Sequence, residues 1–170
     1  MTYVYLGLGA NIEPYTSLQA GIIELRAAFG HVELSPVYSA PAVGMDGPDF
    51  LNMVVGFECP MGRSQLMTWI RATETKYGRQ RSADSSHKPS SHGLDMDLLL
   101  FGDLVDEQAK VPRPDILTCA YVLQPLADLV PDLMHPTQAK TIKELNDSCE
   151  FDHVVLLTQH HFWSLLSELS

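Results

Sequence analysis

Apolar positions along this chain recur with two different periods. From Pro14 to Phe29, residues Leu18, Ile22, Leu25 and Phe29 fall at helical spacing, and Gly30 is suited to end such a helix. A second helical pattern runs from Met61 to Tyr77, with Leu66, Ile70, Thr73 and Tyr77 on one stripe. A third covers Ala120 to Leu129 and stops before Pro131. Between them lie strand patterns. Tyr3 to Gly9 reads as a strand ending in a glycine turn, and Val32 and Leu34 begin another that continues towards Tyr38. In Phe50 to Phe57, alternation puts Leu51, Met53, Val55 and Phe57 on one face and Phe50 and Asn52 on the other. A short helix over about Thr141 to Leu145, a last strand over Val154 to Leu157 and an apolar helix over His161 to Leu169 complete the pattern. There is no internal repeat and no linker, so residues 1–170 are expected to form one domain.

The strand that carries chemistry is Gly93 to Phe101. Leu94, Met96, Leu98 and Leu100 are expected on one face, and Asp95 and Asp97 side by side on the other. Paired carboxylates on a buried strand repel each other and lose hydration, so a positive partner should offset them. A divalent cation with oxygen ligands is one solution. Contact with water, or with Lys or Arg, is the other, and the D-x-D spacing alone does not choose between them.

Two further features bear on that choice. Phe50 and Asn52 share a strand face, and an aromatic plane beside a carboxamide suits a flat, hydrogen-bonding heterocycle; a core Phe and a loop-capping Asn would give the same spacing. The stretch Arg79 to His92 is rich in Ser, Lys and Arg and has almost no large apolar residue. Leading straight to Asp95, it reads either as a lid that brings Arg79, Arg81 and Lys88 over a metal–polyphosphate or as a solvated connector. Glu74 falls close to the buried stripe of its helix, where it either points inward or reaches solvent.

The net charge of −10 argues against a general nucleic-acid binder but not against an anionic small substrate held by a few local cations. Cys59, Cys119 and Cys149 are scattered, with no C-x-x-C, so neither a disulfide framework nor a zinc site is suggested and a reducing, cytoplasmic setting fits. A secretory leader is not expected, and no apolar run approaches the roughly 20 residues that span a bilayer. Gly7-Leu8-Gly9-Ala10-Asn11-Ile12 begins like a dinucleotide fingerprint, but Ile12 replaces its third glycine. A P-loop is absent.

Six separated pieces agree in order and spacing with one family. They are Tyr5-Leu6-Gly7-Leu8-Gly9-Ala10-Asn11, Tyr38 to Asn52 with its Pro-Asp-Phe-Leu-Asn ending, and Glu74-x-x-x-Gly78-Arg79-x-Arg81. With them go Leu94-Asp95-x-Asp97-x-Leu99-Leu100-Phe101-Gly102, Val111-Pro112-x-Pro114, and Tyr121-Val122-Leu123-x-Pro125-Leu126-Ala127-Asp128. Over residues 3–145 the chain resembles the 6-hydroxymethyl-7,8-dihydropterin pyrophosphokinases of folate synthesis, with 146–170 as an extension packed on the domain. The resemblance implies an α/β fold of the ferredoxin-like kind, an antiparallel sheet with helices packed on it. It implies pyrophosphate transfer from ATP to the pterin alcohol, with Asp95 and Asp97 holding two Mg²⁺ ions. The implied pterin pocket is Val43, Phe50, Asn52 and Tyr121, and the implied nucleotide site takes in Glu74, Arg79, Arg81, Leu98 and Arg113. Arg79 and His92 join the aspartates in the implied catalytic set. A monomer acting on small molecules, without nucleic acid or membrane, is expected, and a dimer contact through the C-terminal helix stays open.

The departures lie on the phosphate side. Where the resemblance leads one to expect Trp-Gly-Pro-Arg, the chain has Pro89-Ser90-Ser91-His92. Arg113 replaces a histidine, Cys119 an arginine and Ala40 a threonine. Histidine substitutes poorly for the guanidinium fork towards phosphate at pH 7. Reduced activity is therefore expected, with a paralogue acting on another pterin or donor, or a non-catalytic pterin- or nucleotide-binding protein, as alternatives.

Overall fold

The computed structural model describes residues 1–41, 47–78 and 93–150, and the backbone of 158–160. Strand β1 (Thr2–Ala10) leads into helix α1 (Pro14–Phe29), then β2 (Glu33–Leu34), β3 (Val37–Ala40) and β4 (Phe50–Cys59). Helix α2 (Arg63–Lys76) and β5 (Asp95–Phe101) follow, then α3 (Asp115–Thr118), α4 (Ala120–Leu129), α5 (Ile142–Ser148) and β6 (Thr158–His160). The strands form one antiparallel sheet in the order β5-β1-β4-β3-β6, with β2 also paired to β4. This is the β-α-β-β-α-β arrangement of ferredoxin-like folds, as expected.

The two faces of the sheet bury separate cores. On one, Val4, Leu6 and Leu8 of β1 and Leu51, Met53, Val55 and Phe57 of β4 meet the α1 stripe Leu18, Ile22 and Leu25 and the α2 pair Leu66 and Ile70. Each of these apolar side chains contributes about 1.5–3 kcal/mol by leaving water. Phe29 stacks on Phe57 at 4.6 Å and meets Trp69 edge-on at 5.0 Å, so α1, α2 and β4 are locked at one point. On the other face, Tyr5, Val54, Leu99 and Leu100 pack against Ile116, Val122, Leu123, Leu126 and Ile142 from α3, α4 and α5. The site lies at the open end of this second face.

Pro14 starts α1 and Gly30, at φ +80°, ends it, in agreement with the sequence. Other expectations are corrected. Gly7 and Gly9 form no turn; they lie inside β1, which continues to Ala10. The strand from Val32 is broken at Pro36, which has no N–H, and Ser35 bridges the gap. Its N–H donates to the Val54 carbonyl at 2.9 Å and its hydroxyl accepts from the Val54 N–H at 2.8 Å. Leu100 does not share a face with Leu98. The β1–β5 register steps from Leu6↔Leu98 to Tyr5↔Leu100, so Leu99 is an extra residue and Leu100 joins it in the second core. The expected strand at Val154–Leu157 and helix at His161–Leu169 lie outside the described residues, and β6 pairs with β3 immediately after the former.

Candidate active site

Register explains why the carboxylates have room. Asp95 lies opposite Gly9 and Asp97 opposite Gly7 on β1. On the far side of β1, Gly9 faces Asn52 and Gly7 faces Val54 of β4. Directly opposed residues in an antiparallel sheet point to the same face. The two glycines therefore make a floor without side chains between the aspartates and Asn52. A Cβ at Gly9 would stand 3.2 Å from the Asn52 side-chain oxygen. The alternate glycines of β1 are thus a clearing on one strand face, a function the dinucleotide-like spacing concealed.

A cavity of about 190 Å³ sits on this floor, lined by Gly7, Gly9, Phe50, Asn52, Asp95, Asp97 and Tyr121, among others. Ligand pockets for drug-sized molecules run to about 300–1,000 Å³, so this cavity is smaller than those. Phe50 and Asn52 come from β4, the aspartates from β5, and Tyr121 from the first turn of α4. Burial, followed by a hydrogen bond to Cys119, raises the Tyr121 phenol above its ordinary pKa and keeps it neutral. Farther along α4, Asp128 accepts a hydrogen bond from Tyr38, which ties the helix to β3 and holds Tyr121 over the sheet.

Among the described residues, the cation beside the carboxylates is Arg113. Its Nε donates to Asp115 Oδ2 at 2.9 Å, and its Nη2 lies 3.4 Å from Asp97 Oδ1. Burial works against the guanidinium charge, but Asp97, Asp115 and Asp95 outweigh it and raise the pKa. The backbone places this arginine: its N–H donates at 2.9 Å to the carbonyl of Leu99, the residue left over by the bulge. Asp115 lines the cavity too, and no sequence pattern marked it.

Glu74 takes the inward alternative. It is 2% exposed, and its carboxylate accepts the Met96 N–H at 2.9 Å. Met96 is the residue between the two aspartates, on a strand that stands at the edge of the sheet among the described residues. Glu74 does not line the cavity; it fixes the strand that does. Leu98 is buried in the core of the α1–α2 face, so its side chain is directed away from the aspartates. Val43, Arg79, Arg81 and His92 lie outside the described residues, as does the stretch read as a lid.

Among the described residues no three His, Cys, Asp or Glu side chains form a metal cage. Mg²⁺ is usually held by one or two carboxylates together with water and substrate phosphates, and Asp95 and Asp97 are such a pair. The donor set is hard oxygen, and the glycine floor leaves space beside it.

The family model for 7,8-dihydro-6-hydroxymethylpterin-pyrophosphokinase (HPPK) matches residues 5–131. The chain belongs to the HPPK family. The match spans β1 to the end of α4 and so contains every described residue of the cavity. A relative from Synechocystis sp., named 2-amino-4-hydroxy-6-hydroxymethyldihydropteridine pyrophosphokinase, is 37% identical over 145 residues, covering 82% of this chain and 72% of its own. One of the same name from Pseudomonas aeruginosa is 36% identical over 157 residues, covering 89% and 94%. The crystal structure of Plasmodium falciparum HPPK-DHPS, wild type with SDX-DHP, superposes with a TM-score of 0.66 at 12% identity. It covers 86% of this chain, which spans only 43% of that longer one, and it bears on the fold alone. No helix among the described residues is long and apolar enough to cross a membrane.

Proposed function

We propose that this HPPK-family chain transfers pyrophosphate from ATP to 6-hydroxymethyl-7,8-dihydropterin, giving AMP and the pterin diphosphate. Family membership and the names of the relatives support the reaction. The observation that carries it to these residues is the glycine floor, which puts Asn52 and the aspartate pair on one face of the sheet across a single strand.

On this reading Phe50 and Tyr121 enclose the pterin ring, and Asn52 pairs with its amide edge. Val43 completes the pocket. The hydroxymethyl group then points along the floor towards Asp95 and Asp97. In the reaction the pterin oxygen forms a bond to the β-phosphorus, the bond from that phosphorus to the α–β bridging oxygen breaks, and AMP leaves with that oxygen. The pterin hydroxyl proton passes to water. Asp95 and Asp97 would hold Mg²⁺, two ions on the family's pattern, and the metal would supply charge neutralisation to the polyphosphate. In phosphoryl-type transfer the protein acts mainly by positioning and by stabilising charge.

Arg113 reaches the polyphosphate from the β5 side, and Arg79 and Arg81 from the segment before β5. His92 stands where an arginine is expected, so turnover is slower than a complete set of arginines would give. Glu74 serves the nucleotide side by holding Met96, and Leu98 offers that side only its main chain. The deciding experiment is mass spectrometry of the pterin after incubation with ATP and Mg²⁺. A product heavier by two phosphates supports the reading. A monophosphate, or unchanged pterin under conditions where it binds, refutes it.

A further inference from the structure

We infer that Arg113 is a built-in counter-cation that keeps bare divalent metal off Asp97 and gives way only to metal bound to a polyphosphate. The inference rests on the reading of Asp95 and Asp97 as metal ligands.

Three contacts place Arg113. Its backbone N–H is fixed to the Leu99 carbonyl at 2.9 Å, so the residue cannot drift from β5. Asp115 accepts from Nε at 2.9 Å and holds one edge of the guanidinium fork. The other edge, Nη2, is directed at Asp97 Oδ1 but stands at 3.4 Å, longer than the usual charged hydrogen bond. One edge is thus clamped and the other loosely engaged. The Arg113 side chain is about one-third exposed, so it is not sealed off from a ligand entering the cleft.

The consequence follows from charge. A bare divalent ion approaching Asp97 meets a fixed positive charge a few ångströms away and must also break the Arg113–Asp97 contact. It offers Arg113 nothing in return. A metal–triphosphate carries net negative charge and brings phosphate oxygens that match the fork. The loose edge of Arg113 then exchanges a carboxylate for a phosphate while Asp115 keeps the side chain in place. Arg113 therefore opposes one ligand and favours the other, and selects metal that arrives with nucleotide.

This predicts effects of opposite sign in one variant. In Arg113→Gln, bare Mn²⁺ (followed by electron paramagnetic resonance on nucleotide-free protein) binds about tenfold tighter, the scale expected for removing one charge at a partly solvated site. In the same variant, ATP in saturating Mg²⁺, measured by calorimetry, binds about tenfold more weakly, the scale of a lost charged contact. Arg113→Met repeats the test with a second neutral side chain. Arg113→Lys retains the charge and keeps bare Mn²⁺ binding close to that of the natural chain. A merely structural role would shift both affinities the same way. Neutral variants that move both affinities in one direction, or leave bare Mn²⁺ unchanged, overturn the inference. Asp97→Asn separates the two failures. If it weakens ATP binding in Mg²⁺ but Arg113→Gln shows no inversion, only the role of Arg113 falls. If it leaves ATP affinity unchanged, the metal reading falls and the inference with it.

Discussion

Replacing Glu74 by alanine removes the acceptor that holds β5 between the two aspartates. Glu74 is 2% exposed and takes the Met96 N–H at 2.9 Å. Truncation leaves that N–H buried without its acceptor, which costs about 1–3 kcal/mol. Loss of the buried methylene adds about 0.8 kcal/mol, and the space left by the carboxyl group brings the total to about 2–4 kcal/mol. For a domain of this size each kcal/mol lowers Tm by about 2–4 °C, so the expected loss is about 4–16 °C. Glutamine keeps an acceptor oxygen of the same reach, and Glu74→Gln should lose less than half as much. The assay is thermal unfolding by circular dichroism, paired with calorimetric titration of ATP in Mg²⁺. Because Met96 separates Asp95 from Asp97, the alanine variant should also bind the nucleotide more weakly below its Tm. A Tm within about 2 °C of the natural chain, less than 1 kcal/mol of change, would refute the reasoning, as would a glutamine variant no better than alanine.

Three further outcomes follow from particular contacts. Gly93→Ala should be among the most destabilising single substitutions before β5, because its Cβ would sit 2.2 Å from the Tyr77 carbonyl oxygen, a backbone atom that cannot step aside; a loss of about 3 kcal/mol in chemical denaturation is expected. Phe50→Ala and Tyr121→Ala should each weaken pterin binding by about tenfold, the scale of one good aromatic contact, with Tm nearly unchanged for Phe50→Ala; fluorescence quenching by the pterin measures it. The third concerns His135, which is 4% exposed, accepts the Thr137 N–H through Nδ1 at 3.2 Å and has no partner at Nε2 among the described residues. Burial lowers its pKa below 6.5, so the unfolded chain takes the proton first as the pH falls. Its contribution is complete above about pH 6.5 and is lost below it. His135→Asn, whose oxygen replaces Nδ1, should flatten the fall in Tm between pH 7 and 5.

Local periodicity made much of this protein legible. The spacing of Leu18, Ile22 and Leu25 marked α1 to the residue, and alternation put Phe50 and Asn52 on the face opposite Leu51 and Met53. The same alternation put Asp95 and Asp97 together on the face opposite Met96. What failed were features set by pairing between distant segments. Leu98-Leu99-Leu100 is apolar throughout, so nothing in it reveals that β1 skips Leu99. The glycines of β1 looked like turn residues because their value lies in what β4 and β5 place beside them. Asp115 and the contact of Arg113 with Asp97 join residues on either side of a turn and a bulge, where no spacing rule applies. Glu74 lay on the boundary of its stripe, and only its bond from the Met96 N–H, on a separate strand, decided its direction.

The central claim is that Asp95 and Asp97 deliver pyrophosphate to a pterin seated beside them. Pterin-dependent AMP release tests it most directly. Purified protein is mixed with ATP, Mg²⁺ and 6-hydroxymethyl-7,8-dihydropterin, with Asp95→Asn as the blank. The account predicts AMP that appears only when pterin is present and vanishes in the variant. ADP in place of AMP, or AMP release that Asp95→Asn leaves intact, would contradict it.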